Sequence, residues 1–307
     1  MKSTILSAIG NTPLVRLKNI VPVDCADIYI KLEYFNPTGS YKDRMALAII
    51  EGAEQRGTLL PGKGVIECTG GSTGTSLAFV CTAKGYPFKA ISSDAFAKEK
   101  LKAIQIFGGE LELVPSEGGK ITPDLIPKMI ARAEIIANET GAFWTRQFTN
   151  TDALEGYRIM GEEILKQLNG PIDVFCAGVG TAGMAMGVAQ VLRKTSSTVR
   201  IVALEPASAP LLTLGTKGSH KIEGIGVGMV PPLLDKTLYD EVHTVEEEDA
   251  RKTAKLLVEK EGIFAGTSTG MNVSAAIAIG KQLGPGHTVV TVACDSGLKY
   301  LTGGLFD

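Results

Sequence analysis

A lysine stands where a predicted helix begins. The segment FNPTGSYKDRMA, residues 35–46, leads into a stretch with helical apolar spacing, so Lys42 falls in the first helical turn. A positive charge there faces the positive end of the helix dipole, at a cost of about 0.3 to 1 kcal/mol. The same field favours the free amine over the ammonium ion, and burial would lower the pKa of the amine further. Lys42 is therefore a candidate nucleophile for an aldehyde, and the simpler alternative is a surface lysine with a solvated head.

Three glycine-rich turns lie between a predicted strand and a predicted helix. Each turn would direct backbone N–H groups and a helix N-terminus at one point, which makes it a natural receptor for an anion. A single such turn is commonly only a connection, but three of them, with added Ser and Thr hydroxyls, indicate a ligand with several anionic groups. The turns are ECTGGSTGTSLA (67–78), CAGVGTAGMAMG (176–187) and FAGTSTGMN (264–272).

Nucleotide-binding motifs fit these turns poorly. The dinucleotide-like GVGTAG, residues 178–183, follows an internal strand, and no acidic residue ends a strand about 20 residues later. Glu205 is the nearest candidate and precedes Pro206. The Walker pattern is also missing. These observations argue against a nucleotide cofactor.

The elements around the turns predict an α/β fold with mostly parallel, twisted sheets and helices on both faces of each sheet. Short apolar runs alternate with helical segments, the pattern of strands joined by crossover helices. Helices are predicted at 41–56 and 270–283, among others. No linker rich in Pro, Ser or charge divides the chain, so its domains should pack closely. The predicted strands are 27–33, 64–69, 88–93, 110–115, 173–180, 200–206 and 288–295.

Composition narrows the possible partners. The 307 residues carry a formal net charge of −2 and a pI near 6.0, which give no reason to expect a nucleic acid or an acidic membrane surface. No apolar run reaches the roughly 18 residues of a membrane span, and the three histidines are too scattered to predict a metal site. Five cysteines without C-x-x-C spacing predict buried, reduced thiols. With the opening MKSTILSAIGN, which lacks an apolar leader, they predict a cytoplasmic protein.

The order of several motifs resembles one family of enzymes. The sequence is similar to the pyridoxal phosphate (PLP) enzymes of fold type II, the tryptophan synthase β-like group, and within them to cysteine synthases and cystathionine β-synthases. The resemblance covers nearly the whole chain. Its motifs are IGNTPLVRL (9–17), NPTGSYKDR (36–44), GVGTAG (178–183), KIEGIGVG (221–228), EGIFAGTSTG (261–270) and DSGLKYL (295–301).

The resemblance implies cofactor-binding residues. Lys42 would hold PLP covalently as a Schiff base and later act as the base at the substrate Cα. Ser268 would face the pyridine nitrogen, where a hydroxyl makes a weaker electron sink than an aspartate and suits β-elimination and replacement. The family usually reads G-T-G-G-T at the phosphate, so Ala182 and Met184 depart from it, and Met184 removes a hydroxyl. The implied phosphate cup is Gly180, Thr181, Ala182, Gly183 and Met184.

The resemblance also implies a site for the substrate α-carboxylate. TGGSTG (69–74) stands where cysteine synthases usually read T-S-G-N-T-G, and Ser72 is shorter than the family's asparagine, which reaches the cofactor ring hydroxyl. Gln147 would be a second carboxylate contact, unless it is a surface glutamine. Phe96 stands where relatives carry a methionine near the reacting Cβ. The implied substrate residues are Thr69, Gly70, Gly71, Ser72, Thr73, Gln147 and Gly224, the last in the small-residue loop GIGVG (224–228).

The implied reaction is β-replacement on an activated serine. The first hypothesis is a cysteine synthase, which makes cysteine and acetate from O-acetylserine and sulfide. A β-eliminating lyase such as a cysteine desulfhydrase is the alternative, and a PLP-binding paralogue without turnover is a third possibility. The resemblance implies a smaller α/β domain at 38–145, a larger one from 1–37 with 146–307, and PLP in the cleft between them. It also implies a homodimer, and it leaves open whether a serine acetyltransferase is a partner.

Overall fold

The structure of the protein is a computed structural model that describes residues 4–119, 122, 124–302 and 304–306. Within these ranges the strands are β1 (Leu14–Arg16), β2 (Asp27–Leu32), β3 (Val65–Cys68), β4 (Phe88–Ser93), β5 (Glu110–Val114), β6 (Phe143–Trp144), β7 (Val174–Gly178), β8 (Arg200–Pro206), β9 (Glu241–Val245) and β10 (Thr288–Ala293). The helices are α1 (Lys42–Gln55), α2 (Ser72–Lys84), α3 (Lys98–Ile106), α4 (Leu125–Thr140), α5 (Asp152–Leu168), α6 (Gly183–Thr195), α7 (Leu211–Leu214), α8 (Glu247–Leu256) and α9 (Thr267–Leu283).

The chain divides into two compact units. Of the described residues, the first unit contains those of Met1–Ile9 and Lys42–Ala153, and the second contains those of Gly10–Tyr41 and Leu154–Asp307. The predicted domain bounds and the predicted cofactor cleft stay predictions.

The first unit is built on a four-stranded parallel sheet in the order β5-β4-β3-β6. Alternate residues of a strand face opposite sides, and here each side has its own helices. Val65 of β3 and Phe88 of β4 pack with α1 and α2. Ile66 and Ile91, an odd number of positions after Val65 and Phe88, face the other side and pack with α4. The sheet therefore has helices on both faces, as the sequence predicts.

The second unit is built on a six-stranded sheet in the order β1-β2-β10-β7-β8-β9. β2, β10, β7, β8 and β9 run parallel, and only the edge strand β1 pairs antiparallel. Open sheets of this kind bind ligands beyond the carboxyl ends of their strands. β7 ends at Gly178 and leads into α6 through one of the three glycine-rich turns.

Three short strands were not predicted from the sequence: β1, β6 and β9. β1 and β6 have three and two residues, too few to show an alternation of apolar and polar side chains. β9 reads EVHTV and is mostly half-buried, so polar residues interrupt its pattern.

Two predicted boundaries were misplaced near the candidate site. α9 begins at Thr267 instead of residue 270, which puts Ser268 inside the helix. β7 ends at Gly178 instead of residue 180, which leaves Gly180 in the turn. Among the described helices, none combines the length and apolarity that crossing a bilayer requires.

Candidate active site

Lys42 is the first residue of α1 and is only 7% exposed. The alternative of a solvated surface lysine is therefore wrong. α1 is held in place by Ala46, Ile50 and Ala53, which pack with α2 in the core of the first unit. Lys42 thus lies at a helix N-terminus, out of solvent, on an element that packing holds in place.

The loop of residues 69–74, which we call the TGGSTG loop, joins β3 to α2. Thr69 closes this loop, because its Oγ1 accepts the N–H groups of Gly71 at 3.1 Å and of Gly74 at 3.2 Å. The hydroxyl proton of Thr69 can then donate to a ligand. The N–H of Gly71, predicted to face a carboxylate, is directed at Thr69 instead. Thr69 and Thr73 are both buried.

Three side chains spaced four residues apart pack onto the glycines of this loop. A Cβ at Gly70 would lie 2.4 Å from the ring of Phe96, and one at Gly71 would lie 2.8 Å from the side chain of Lys100. A Cβ at Gly74 would lie 2.6 Å from the side chain of Ile104. Real Cβ contacts are longer than these distances, so the glycines let Phe96 and one side of α3 rest on the loop.

Gln147 contacts the TGGSTG loop. It is 6% exposed, so the alternative of a surface glutamine is wrong. Its Nε2 donates to the carbonyl oxygen of Cys68 at 2.8 Å, and its Oε1 accepts the hydroxyl of Thr73 at 2.8 Å. Because the carbonyl can only accept, these bonds define which end of the amide is the nitrogen.

Glu67, a carboxylate in the buried strand β3, was not predicted from the sequence. Its Oε2 accepts the hydroxyl of Thr145 at 2.5 Å and the N–H of Gln147 at 2.8 Å. Its Oε1 accepts the N–H of Cys68 at 2.8 Å and the indole N–H of Trp144 at 3.4 Å. Burial raises the pKa of the Glu67 carboxyl, and the hydrogen bonds oppose that rise. The sequence feature that could have indicated Glu67 is an acidic residue within the apolar run VIEC.

In the second unit the phosphate cup of residues 180–184 forms the N-terminus of α6. Ala182 is the N-cap, with φ +66°, and has no side-chain oxygen to cap the helix. The first-turn N–H groups have no acceptor within the helix, so they suit an anion such as a phosphate. A Cβ at Gly180 would lie 2.3 Å from the carbonyl oxygen of Gly224. The cup and the loop 224–228 are therefore brought together, as a further bond from the Gly226 N–H to Val179 confirms.

Ser268 lies near the same end of the second sheet. It is buried in the first turn of α9, four residues before Asn272 and so on the same side of the helix. The Oδ1 of Asn272 accepts the N–H of Gly178 at 2.8 Å, and its Nδ2 donates to Val292 at 2.8 Å. Asn272, which the sequence analysis also missed, thus ties α9 to the ends of β7 and β10.

Groups in each unit, taken separately, fit PLP. The donor set at α6 suits its phosphate, the close approach at Gly180 leaves the cup free of a side chain there, and Lys42 provides a buried amine for its aldehyde. Met184 supplies no hydroxyl, so the phosphate would rely on backbone donors and Thr181. In the part of the chain that the structure describes, no cluster of three or more His, Cys, Asp or Glu side chains could hold a metal ion.

Known proteins resemble the chain over its full length. The family model for pyridoxal-phosphate dependent enzymes matches residues 5–295. A cysteine synthase of Staphylococcus aureus (strain Mu50 / ATCC 700699) is 41% identical over 304 residues, covering 98% of this chain and 96% of the relative. An O-ureido-L-serine synthase of Streptomyces lavendulae is 39% identical over 307 residues, covering 99% and 93%. The crystal structure of a hydrogen sulfide-producing enzyme from Fusobacterium nucleatum is 36% identical with a TM-score of 0.90, covering 98% and 100%.

The parallel sheets, the buried lysine and the backbone N–H groups at the start of α6 fit a class of enzyme that works with a phosphorylated aldehyde cofactor. The chain belongs to the family of pyridoxal-phosphate dependent enzymes, as the match over residues 5–295 and the full-length relatives show. Its cofactor is PLP.

Proposed function

We propose that the chain is a cysteine synthase, which replaces the acetoxy group on Cβ of O-acetylserine with sulfide and releases cysteine and acetate. The observation that carries this proposal is Lys42, buried at the first position of α1 in a chain that is 41% identical to a cysteine synthase over nearly its full length. β-Replacement on an activated serine is the reaction type common to that relative and to the synthase of O-ureido-L-serine.

Three groups of residues would hold the cofactor. Lys42 would bind its aldehyde carbon, the cup of residues 180–184 its phosphate, and Ser268 its ring nitrogen. Ser72 would be the side chain nearest its ring hydroxyl. When bound, PLP supplies an electron sink that stabilises negative charge at the substrate Cα and allows a group on Cβ to leave.

The chain's own residues then perform three tasks. The amine of Lys42 takes the proton from the substrate Cα as a general base, because a neutral amine can accept it. The hydroxyls of Thr69 and Thr73 and the amide of Gln147 bind the α-carboxylate and orient the substrate. The glycines of the loop 224–228 keep that side of the site open to the Cβ substituent.

Product analysis tests the proposed reaction. Purified holoenzyme with O-acetylserine and sulfide should form cysteine and acetate in equal amounts. Lys42→Ala should lower kcat by about 10³-fold or more, because it removes both the attachment of the cofactor and the base. A holoenzyme that carries the cofactor but forms no cysteine from these substrates contradicts the proposal.

A β-eliminating lyase is the second candidate. The similarity to a hydrogen sulfide-producing enzyme favours it, as do Gly70, Ser72 and Phe96, which differ from the usual cysteine synthase residues. Holoenzyme incubated with cysteine alone distinguishes the two functions. Pyruvate, ammonia and sulfide in equal amounts would support the lyase, whereas the synthase should release them far more slowly than it makes cysteine.

We further propose a cytoplasmic homodimer. The support for the dimer is the resemblance to cysteine synthases, and the support for the cytoplasm is that all five cysteines are buried free thiols, the state expected in a reducing compartment. Light scattering of the purified holoenzyme should give twice the mass of one chain. A mass equal to one chain at micromolar concentration contradicts the dimer.

A further inference from the structure

We propose that Glu67 is a positioning residue of the substrate site: it holds Gln147 against the TGGSTG loop and thereby sets the strength of carboxylate binding. This inference rests on the proposed function, because it takes the ligand of the loop to be an amino acid. Both carboxylate oxygens of Glu67 accept hydrogen bonds from protein groups, so it would act through Gln147 and not on the substrate.

The backbone next to Gln147 needs an anchor. Arg146 has φ +50°, in the left-handed region that a residue with a side chain seldom adopts without support. The two bonds to Oε2 of Glu67, from Thr145 and from Gln147, come from the residues on either side of Arg146. One carboxylate oxygen thus holds both sides of the turn that presents Gln147.

The partners of Glu67 require acceptor oxygens at this position. Two of them are backbone N–H groups and one is the indole N–H of Trp144, and these groups can only donate. The guanidinium of Arg146 lies over the Trp144 ring, 4.6 Å from its centroid, and so packs on the same anchor. A glutamine at residue 67 would replace one carboxylate oxygen with an NH2 group. The two groups that now donate to that oxygen would then face the NH2 group, which is itself a donor.

Gln147 in turn controls the loop. The Oε1 of Gln147 can only accept, so the Thr73 hydroxyl donates its proton to Oε1. That proton is then not available to an arriving carboxylate. Binding must exchange that bond for one to the substrate, while the second N–H of the Gln147 amide can donate to the same carboxylate. The exchange requires Gln147 to stay in place, which is the task that the structure assigns to Glu67.

Glu67 is buried in an environment that disfavours its charge. Burial raises the pKa of the Glu67 carboxyl, so the stability of the folded protein falls as the pH rises from the pKa of an exposed carboxyl to the raised pKa.

A comparison of two ligands tests the proposal. L-Alanine has an α-carboxylate and no leaving group on Cβ, and ethylamine is the same molecule without the carboxylate. Both can be titrated into PLP-loaded protein and followed by the absorbance of the cofactor. In Glu67→Gln the dissociation constant for L-alanine should rise at least tenfold, while that for ethylamine changes less than twofold. An unchanged value for L-alanine, or equal losses for both ligands, would overturn the proposal.

Two further variants control for folding. Glu112→Gln removes a carboxylate from β5 of the same sheet, where Glu112 pairs with Lys89 and Arg132, and it should leave both dissociation constants unchanged. If Glu67→Gln does not fold, Thr145→Val provides the test instead. It removes one donor to Glu67 and keeps the shape of the side chain, so it should weaken L-alanine binding severalfold. Thr145→Val with wild-type affinity for L-alanine would count against the proposal.

A measurement on cofactor-free protein separates this inference from the proposed function. Amide hydrogen exchange over residues 145–150 should be faster in Glu67→Gln than in the wild type and unchanged in Glu112→Gln. If wild-type holoenzyme binds no L-alanine, the proposed function fails, whatever the exchange shows. If it binds L-alanine and the exchange of this segment does not change in Glu67→Gln, the positioning role fails alone.

Discussion

The ring of Phe96 fills the space that a side chain at residue 70 would need. A Cβ at Gly70 would lie 2.4 Å from the ring, so a serine at residue 70 would meet the ring unless the ring moved. The two positions are therefore sterically linked, and the pair should be studied as a unit.

Gly70→Ser should destabilise the protein by about 1 to 3 kcal/mol, because overpacking forces side chains or backbone to shift. Phe96→Met in the same chain should recover at least half of that loss, since methionine is flexible enough to adapt. Urea unfolding of the wild type, both single variants and the double variant measures the coupling. Gly64→Ser is the control, because a Cβ at Gly64 would have its nearest neighbour 3.7 Å away. Additive effects of the two substitutions would contradict the steric pairing.

At the scale of elements, the parts of the site that the sequence predicted are local. Strand, turn and helix follow one another in the TGGSTG loop and in the cup, and their order is visible in a short stretch of letters. The roles of Glu67 and Asn272 depend on partners far away in the chain, such as Gln147, 80 positions after Glu67, and Gly178, 94 positions before Asn272. Neighbouring sequence carries no signal for such pairs.

A second long-range network supports the start of the second unit. The amine of Lys31 in β2 is fully buried, contacts Glu163 of α5 at 2.7 Å, and donates to the Thr12 carbonyl at 2.5 Å and to Gln167 at 2.8 Å. Lys31→Met should lower the free energy of unfolding by about 3 to 5 kcal/mol, because it leaves a largely buried carboxylate without its cation. Urea denaturation measures the loss.

The matched control is Arg16→Met in the adjacent strand β1. Arg16 forms an ion pair with Asp27, but the side chains are 51% and 40% exposed, so the loss should stay below about 1 kcal/mol. Equal losses in the free energy of unfolding for Lys31→Met and Arg16→Met would show that burial does not increase the contribution of the Lys31 ion pair to stability.

At the scale of the whole molecule, the sequence predicted the α/β class, the parallel sheets and helices on both faces because both sheets are made of short apolar strands bounded by turns. It did not predict the exact ends of α9 and β7, which depend on backbone geometry at Gly266 and beyond Gly178. It predicted the buried thiols from their apolar surroundings, and all five are buried.

Those thiols should be unreactive in the folded protein. Burial raises the pKa of Cys81 and of Cys176 to about 12, far above the roughly 8.5 of a free thiol. At pH 8 iodoacetamide should modify neither residue until the protein unfolds, as peptide mass mapping would show. Because the folded state favours the neutral thiols, their contribution to stability is complete below about pH 8.5 and declines as the pH rises toward 12. Rapid modification of either residue in native protein at pH 8 would contradict this account.

The central claim is that the buried amine of Lys42 carries the cofactor. Borohydride reduction of the holoenzyme, followed by proteolysis and mass spectrometry, identifies the residue that is bonded to PLP. We expect one modified peptide, labelled at Lys42, and no label after reduction of Lys42→Ala protein. A label on a different lysine, or a cofactor-loaded wild-type protein that yields no labelled peptide at all, would contradict the account.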